Sequence, residues 1–309
     1  MKKYVVSRFL QLIPVLFGIT FLTFALLFLA PGDPAQRKLS AQGIAVTREV
    51  LDQTRKDMGL DRPFILQYGG WLSGLLRGDL GVSYKDGTPV ADKLSKALNY
   101  TLILTVSAFL LALVISLPLG IFCGVRKNGF LDHTIRLFCF AGNAIPGFLL
   151  AALFMYFFCI RIRLFPVIAK SSIQGLFLPA LTLSLPLASR LIRQVRAAVL
   201  NQMEMEYVDG AKARGVSEMY ILVFNVLRNA MISILTVLGM SVGAFMGGSV
   251  VIESIFMWPG IGKLVMDSIT ARDYPVVLGF VLIMTLIYVV INLLVDISYH
   301  FLDPRLEEL

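Results

Sequence analysis

Six charge-free apolar stretches leave this chain few folds to choose from. They cover residues 9–32, 97–125, 137–160, 171–189, 229–252 and 274–295. A helix needs about 20 apolar residues to cross the hydrocarbon core of a bilayer. Backbone groups cannot stay unpaired in lipid, so stretches of this kind are expected to be helices. The expected architecture is therefore an all-α integral membrane protein with six transmembrane helices. The fourth stretch is the weakest, because Pro179 and Pro186 are expected to interrupt it. Composition agrees with a bilayer as solvent: of 309 residues 57% are hydrophobic and 16% charged, against roughly 25% charged in soluble domains.

Charge then sets an orientation. With the N-terminus in the cytoplasm, the inner segments hold Lys2, Lys3, Arg8, Arg126, Lys127, Arg136, Arg190, Arg193, Arg196, Lys212, Arg214, Arg228 and Arg305. The short outer loops hold Arg161, Arg163, Lys170, Lys263 and Arg272. This asymmetry predicts both termini inside. The net charge of +8 is thereby assigned to cytoplasmic loops at a lipid surface, with no nucleic-acid partner. Lys2, Lys3 and Arg8 precede the first stretch as in a secretory signal, but the apolar run is long and no small-x-small cleavage site follows, so it reads as a retained anchor.

Three regions result: residues 1–32 with the first helix, an extracytoplasmic insertion at 33–96, and a five-helix core at 97–309 with a cytoplasmic loop at 201–228. The insertion has a helix-like run at 47–58, with Thr47 as N-cap and Gly59 as stop, and turn-rich RGDLG and KDGTP. Asp33, Arg77 and Asp79 fit turn and capping roles there before any docking role.

Several chemistries lack their residues. Cys123, Cys139 and Cys159 lie in apolar stretches without ligand spacing, and His133 and His300 are the only histidines. No metal site and no catalytic residue are expected. HExxH and a Walker A loop are absent, as are the inverted repeats usual in secondary transporters. The Asn292/Asp296 pair reads as a helix-contact hydrogen bond before a proton relay.

The loop NQMEMEYVDGAKARGVSEMYILVFNVLRNA is rich in helix formers yet broken by Gly210 and Gly215. It predicts a short helix, a turn at Gly215, where glycine tolerates positive φ, and a return helix. Val208, Ala211, Val216, Met219 and Tyr220 would offer an apolar contact, flanked by Lys212 and Arg214. Two readings stand: a handle for a soluble partner, or a helix lying on anionic lipid. In the fifth stretch Gly239, Gly243 and Gly247 recur every four residues and suit close helix packing, within this chain or against a partner around a pathway. Glu253 near its end is a gate candidate or, more simply, a structural group salt-bridged to Lys263 or Arg272. Trp258 suits an interfacial anchor.

The same loop resembles the EAA loop of bacterial ABC importer permeases, a glutamate–alanine–alanine pattern followed after three residues by glycine. Asp209, Gly210 and Ala211 take the first positions and Gly215 the glycine. The ending Leu227–Arg228–Asn229–Ala230, in place of the general isoleucine-x-leucine-proline element, is similar to the peptide and nickel branch. So are PGDPA at 31–35, GDLGVS at 78–83, ESIFMWPGIG at 253–262, RDYPVV at 272–277 and LDPR at 302–305, in this order across nearly the whole chain. The resemblance is to the first permease subunit of dipeptide, oligopeptide and nickel importers. It implies a type I importer fold, a second homologous permease, two ATPase subunits that bind ATP and Mg²⁺, and an extracytoplasmic substrate-binding protein. Tyr207, Asp209, Gly210, Ala211, Lys212, Arg214, Gly215 and Tyr220 would then lie in the ATPase contact. The cargo would be short peptides, or alternatively nickel or its chelate, in a bacterial inner membrane.

Overall fold

The computed structural model describes the backbone of residues 2–169 and 172–302, with side chains except at 2–12, 232, 233, 236, 239–246, 248 and 294–302. Gly239, Gly243, Asp296, His300 and the LDPR segment therefore lie outside the fully described residues. The described chain is helical, with one isolated bridge, Val82 to Pro89. In order the helices are α1 (Lys2–Leu29), α2 (Pro34–Ala41), α3 (Arg48–Asp57), α4 (Phe64–Leu76), α5 (Val90–Val125), α6 (Phe130–Ala144) and α7 (Gly147–Phe154). They continue as α8 (Ile173–Met203), α9 (Glu206–Ala213), α10 (Glu218–Tyr220), α11 (Leu227–Ile255), α12 (Ile261–Ala271) and α13 (Tyr274–Leu302).

The six apolar stretches are mainly helical where described, with breaks at residues 30–32, 145–146 and 172. α5, α8 and residues 274–293 of α13 are each long and apolar enough to cross a membrane unbroken. Two further candidates are bent pairs, α1 with α2 (69°) and α6 with the segment 147–161 (104°). The second bend corrects the expectation of a single helix over 137–160. Pro146 disfavours helical backbone at the residue before it, and Ile145 accordingly turns extended, at φ −81° and ψ 122°. The opposite correction applies to α8. Pro179 and Pro186 do not interrupt it; the helix runs 31 residues through both. The prolines stand seven residues apart, so their lost hydrogen bonds fall on one side. Burial of fourteen α8 residues, packed on α6, α7 and α11, offsets the loss.

The chain folds into two compact units, Met1–Tyr100 with Pro259–Leu293, and Thr101–Trp258 with Leu294–Leu309. In the first unit α1 packs on α4 through Phe17, Phe21, Phe24, Phe64 and Tyr68. α3 is capped by Thr47 and ends at Gly59, φ +68°, as its sequence predicts. Asp33 caps α2 through the Ala35 N–H (2.9 Å) and holds Arg55 (2.7 Å), while Asp79 accepts from the Gly81 N–H (2.8 Å). Both are thus turn residues first.

Three of the sequence motifs converge in this unit. Asp273 of RDYPVV is 1% exposed and accepts hydrogen bonds from the Ser83 hydroxyl and from the Tyr84 N–H (2.8 Å), so it fixes the GDLGVS loop. Arg272 donates to the Pro31 carbonyl of PGDPA. Lys93 ties the loop back to α5, donating to Ser83 Oγ (2.9 Å) and pairing with Asp86 (2.6 Å). Burial, then the negative charge of Asp273, pushes the Tyr84 phenol up to about 12. Gly279 lets α13 approach α5: a Cβ there would meet Leu94 at 2.7 Å.

Candidate functional site

In the second unit the chain leaves α8 at Met203, makes α9 and α10 as a short hairpin, and returns through a π-helical segment, Ile221–Val226, into α11. The turn is built by hydrogen bonds. The Gly215 N–H donates to the Lys212 carbonyl (2.9 Å) and the Val216 N–H to the Ala211 carbonyl (3.2 Å), with Gly215 at φ +76°. This paired pattern closes a helix onto a left-handed glycine and satisfies its last carbonyls. A Cβ on Gly215 would meet nothing within 4 Å. Only the backbone angle calls for glycine there.

The hairpin is seated by apolar burial. Val208 and Ala211 of α9, with Ile221 and Val226 of the return segment, join Val195 and Val199 of α8 and Ala230 and Ile234 of α11 in one buried cluster. Val208 and Ala211 are the two inward positions of α9, three residues apart and so on one face. The π-helical bonding, from i to i+5, brings Ile221 and Val226, five apart, to the same interior. This corrects the expectation that Val208 and Ala211 are available to a partner. They hold the hairpin to its own chain, and Val216 packs partly buried against them. The hydroxyl of Tyr207 donates to Gln202 Oε1 (2.9 Å), bracing α9 against the end of α8.

The outward face carries the rest. Asp209, Lys212, Arg214 and Gly215 are exposed, as are Met219 (68%) and Tyr220 (52%), with Gly210 half-buried. Tyr220 stacks obliquely on Phe224, ring centroids 4.8 Å apart. The surface offers two cations, three carboxylates (Glu206, Asp209 and Glu218) and two large apolar side chains on a short hairpin.

The pathway candidates separate differently. Gly247 is exposed with open space beside it. Glu253 is fully buried and accepts a hydrogen bond from the Thr101 hydroxyl (2.7 Å), joining α11 to α5. Its backbone carbonyl receives the Trp258 N–H (2.9 Å), and Trp258 is 2% exposed, an interior residue in place of the expected interfacial anchor. Phe256 accepts from the Ala169 N–H (2.9 Å). Lys263 pairs with Asp267 (2.5 Å).

Two residues that sequence reasoning passes over join α6 to α8. Asp132, at the start of α6, is 1% exposed and meets Arg196 of α8 in two parallel bonds, Nε to Oδ1 at 2.7 Å and Nη2 to Oδ2 at 2.8 Å. These two residues are 64 positions apart, and from the sequence Arg196 bears only on orientation. No local pattern signals the pair.

The chain matches the family model described as "Binding-protein-dependent transport system inner membrane component" over residues 116–308. Its companion N-terminal model matches residues 1–105. It is 35% identical over 306 residues to the glutathione transport system permease protein GsiC of Escherichia coli O6:H1, covering 99% of both chains. The GsiC of Shigella dysenteriae serotype 1 is 34% identical over the same span. Among solved structures, a chain of the MetNI methionine ABC transporter, in an inward-facing conformation, superposes with a TM-score of 0.56 at 18% identity, over 68% of this chain and 96% of that one. That likeness places the fold among type I importer permeases. The matching family models and near full-length relatives establish that this chain belongs to the inner membrane components of binding-protein-dependent ABC importers.

Proposed function

We propose that this permease subunit imports short peptides and that its α9–α10 hairpin is the element on which an ATPase subunit docks. The observation that carries the docking reading is the division of the hairpin into an apolar seat and an exposed, mixed-charge outer face. A soluble motor can push such an element as a rigid body. Tyr207, Gly210, Ala211 and Gly215 give it shape, and Asp209, Lys212, Arg214, Met219 and Tyr220 give it contact. In this reading both termini are cytoplasmic, and residues 33–96 form an extracytoplasmic insertion facing a substrate-binding protein. A second permease completes the pathway around Gly239, Gly243 and Gly247. Two ATPase subunits hold ATP and Mg²⁺, and this chain hydrolyses nothing itself.

The peptide class is supported by the relatives, whose named substrate, glutathione, is a tripeptide. Mass spectrometry and metal analysis of the ligand retained by the cognate binding protein test it. A peptide is expected, and a nickel chelate would overturn the assignment. Docking is tested by replacing Gly215 with valine, which forces a β-branched residue into left-handed backbone. Membrane insertion should persist while uptake is lost and ATP hydrolysis is uncoupled from it. Normal uptake by the Gly215→Val protein would sink the docking role.

A further inference from the structure

The hairpin sits at the end of α8, so whatever holds α8 decides where a push on the hairpin goes. α5 presents Gly120 and Gly124, four residues apart and so on one face. A Cβ on Gly120 would stand 2.6 Å from the Cβ of Val195, and one on Gly124 would stand 2.7 Å from Cγ1 of Val199. Val195 and Val199 are again four apart and fully buried. α6 grips another side of α8. A Cβ on Gly142 would lie 2.5 Å from the Ser189 hydroxyl. Asn143, with its amide in the better-satisfied orientation, donates to the Pro186 carbonyl (3.3 Å) and accepts from Arg193 (3.1 Å). The grip ends in the Asp132–Arg196 pair, whose carboxylate also takes the Asn128 N–H (3.0 Å) and has Arg136 at 3.6 Å.

We propose that Asp132 and Arg196, with Gly120 and Gly124, are positioning residues that bind α5, α6 and the second half of α8 into one lever. A displacement applied at the hairpin would then reach α5 and α6 undiminished. The proposal rests on the docking reading for its source of force. Its own argument is geometric. Glycine contacts of this closeness bring the α5 backbone directly against Val195 and Val199, with no space for a side chain between the helices. A bidentate arginine–carboxylate pair fixes direction as well as distance. Buried pairs are poor evidence for added stability, but breaking one strands a charge. A slip of α8 along α6 would do that, so the pair opposes sliding where apolar contacts would permit it.

The test uses the assembled complex with its partner permease and both ATPase subunits in lipid nanodiscs. Spin labels are placed at Asn201→Cys on α8 and Phe138→Cys on α6, both exposed and neither in the hairpin. Distances are read before and after trapping with ATP and vanadate. In the parent the α6–α8 distance should change by less than about 2 Å, the scale of ordinary helix shifts. Asp132→Asn should shift or broaden it beyond that, and should lower the ratio of binding-protein-stimulated to basal hydrolysis about fivefold. The reciprocal pair, Asp132→Arg with Arg196→Asp, should restore both. Should Asp132→Asn fail to assemble, Arg196→Lys keeps the charge but loses the second parallel bond, and should broaden the distribution less. A parent distance that changes on trapping, or parent-like distances in Asp132→Asn or Arg196→Lys, would overturn the lever. Failure of the docking reading shows separately, as an ATPase that still co-purifies with a hairpin carrying Met219→Asp and Tyr220→Asp.

Discussion

The junction at Arg272–Asp273 and the hairpin at residues 206–226 solve the same task, holding an irregular segment still, by opposite means. The junction is polar. A buried carboxylate and a guanidinium collect loops that are 190 and 241 residues distant in sequence. Its left-handed residue is Arg272 itself, at φ 56°. The hairpin is apolar and local: its seat is Val208, Ala211, Ile221 and Val226, and its left-handed residue is Gly215. Directional bonds suit a place where several loops must meet in one geometry. Non-directional packing suits an element seated on its own chain, because it leaves every charged group free to face outward.

Removing the carboxylate should break this comparison hardest. In Asp273→Ala the Ser83 hydroxyl and the Tyr84 N–H lose their acceptor inside the protein, and stranding one buried and one half-buried donor costs about 4 kcal/mol. The expected result is a large drop in unfolding midpoint in detergent, with new protease cleavage in residues 80–88. Next comes the apolar seat. Ile221→Ala should cost about 3 kcal/mol by leaving a cavity. It should loosen the hairpin, read as faster amide exchange at residues 206–220, without touching protection at residues 80–88. Equal exposure of both regions in either variant would show that they unfold together.

The contrast also explains what is legible in the sequence. The Thr47 cap, the Gly59 stop and the Gly215 turn are local signals, and each appears where its pattern puts it, whereas of the apolar stretches the third is broken. Proline misleads in both directions. Pro179 and Pro186 sit in a helix whose packing outweighs them, whereas Pro146, inconspicuous within an apolar run, turns the chain by 104°. A proline's local cost is readable from sequence, but the burial that offsets it is not. The same limit hides Asp132–Arg196 and Asp273–Ser83, since a partner 64 or 190 residues away leaves no mark on its neighbours. At the hairpin, composition identifies the apolar residues, yet only the packing of α8 and α11 shows that Val208 and Ala211 face inward.

The finest test compares the two left-handed residues. Gly215→Ala meets no side chain, so its cost is the backbone alone, about 1 kcal/mol for a non-glycine residue in that conformation. At Arg272 the reverse substitution sets two terms against each other. Arg272→Gly relieves a backbone cost of similar size, but removes the hydrogen bond to the Pro31 carbonyl, worth about 1 kcal/mol net for an exposed partner. The guanidinium packs over Gly32, where a Cβ would come within 2.7 Å of it. The two terms nearly cancel, so the stability of Arg272→Gly should stay within about 0.5 kcal/mol of the parent, smaller than the Gly215→Ala effect, with unfolding midpoints in detergent as the measurement. A loss above about 2 kcal/mol would mean that the Arg272 contact to PGDPA organises the junction as strongly as Asp273 does. The polar region would then depend on two residues instead of one.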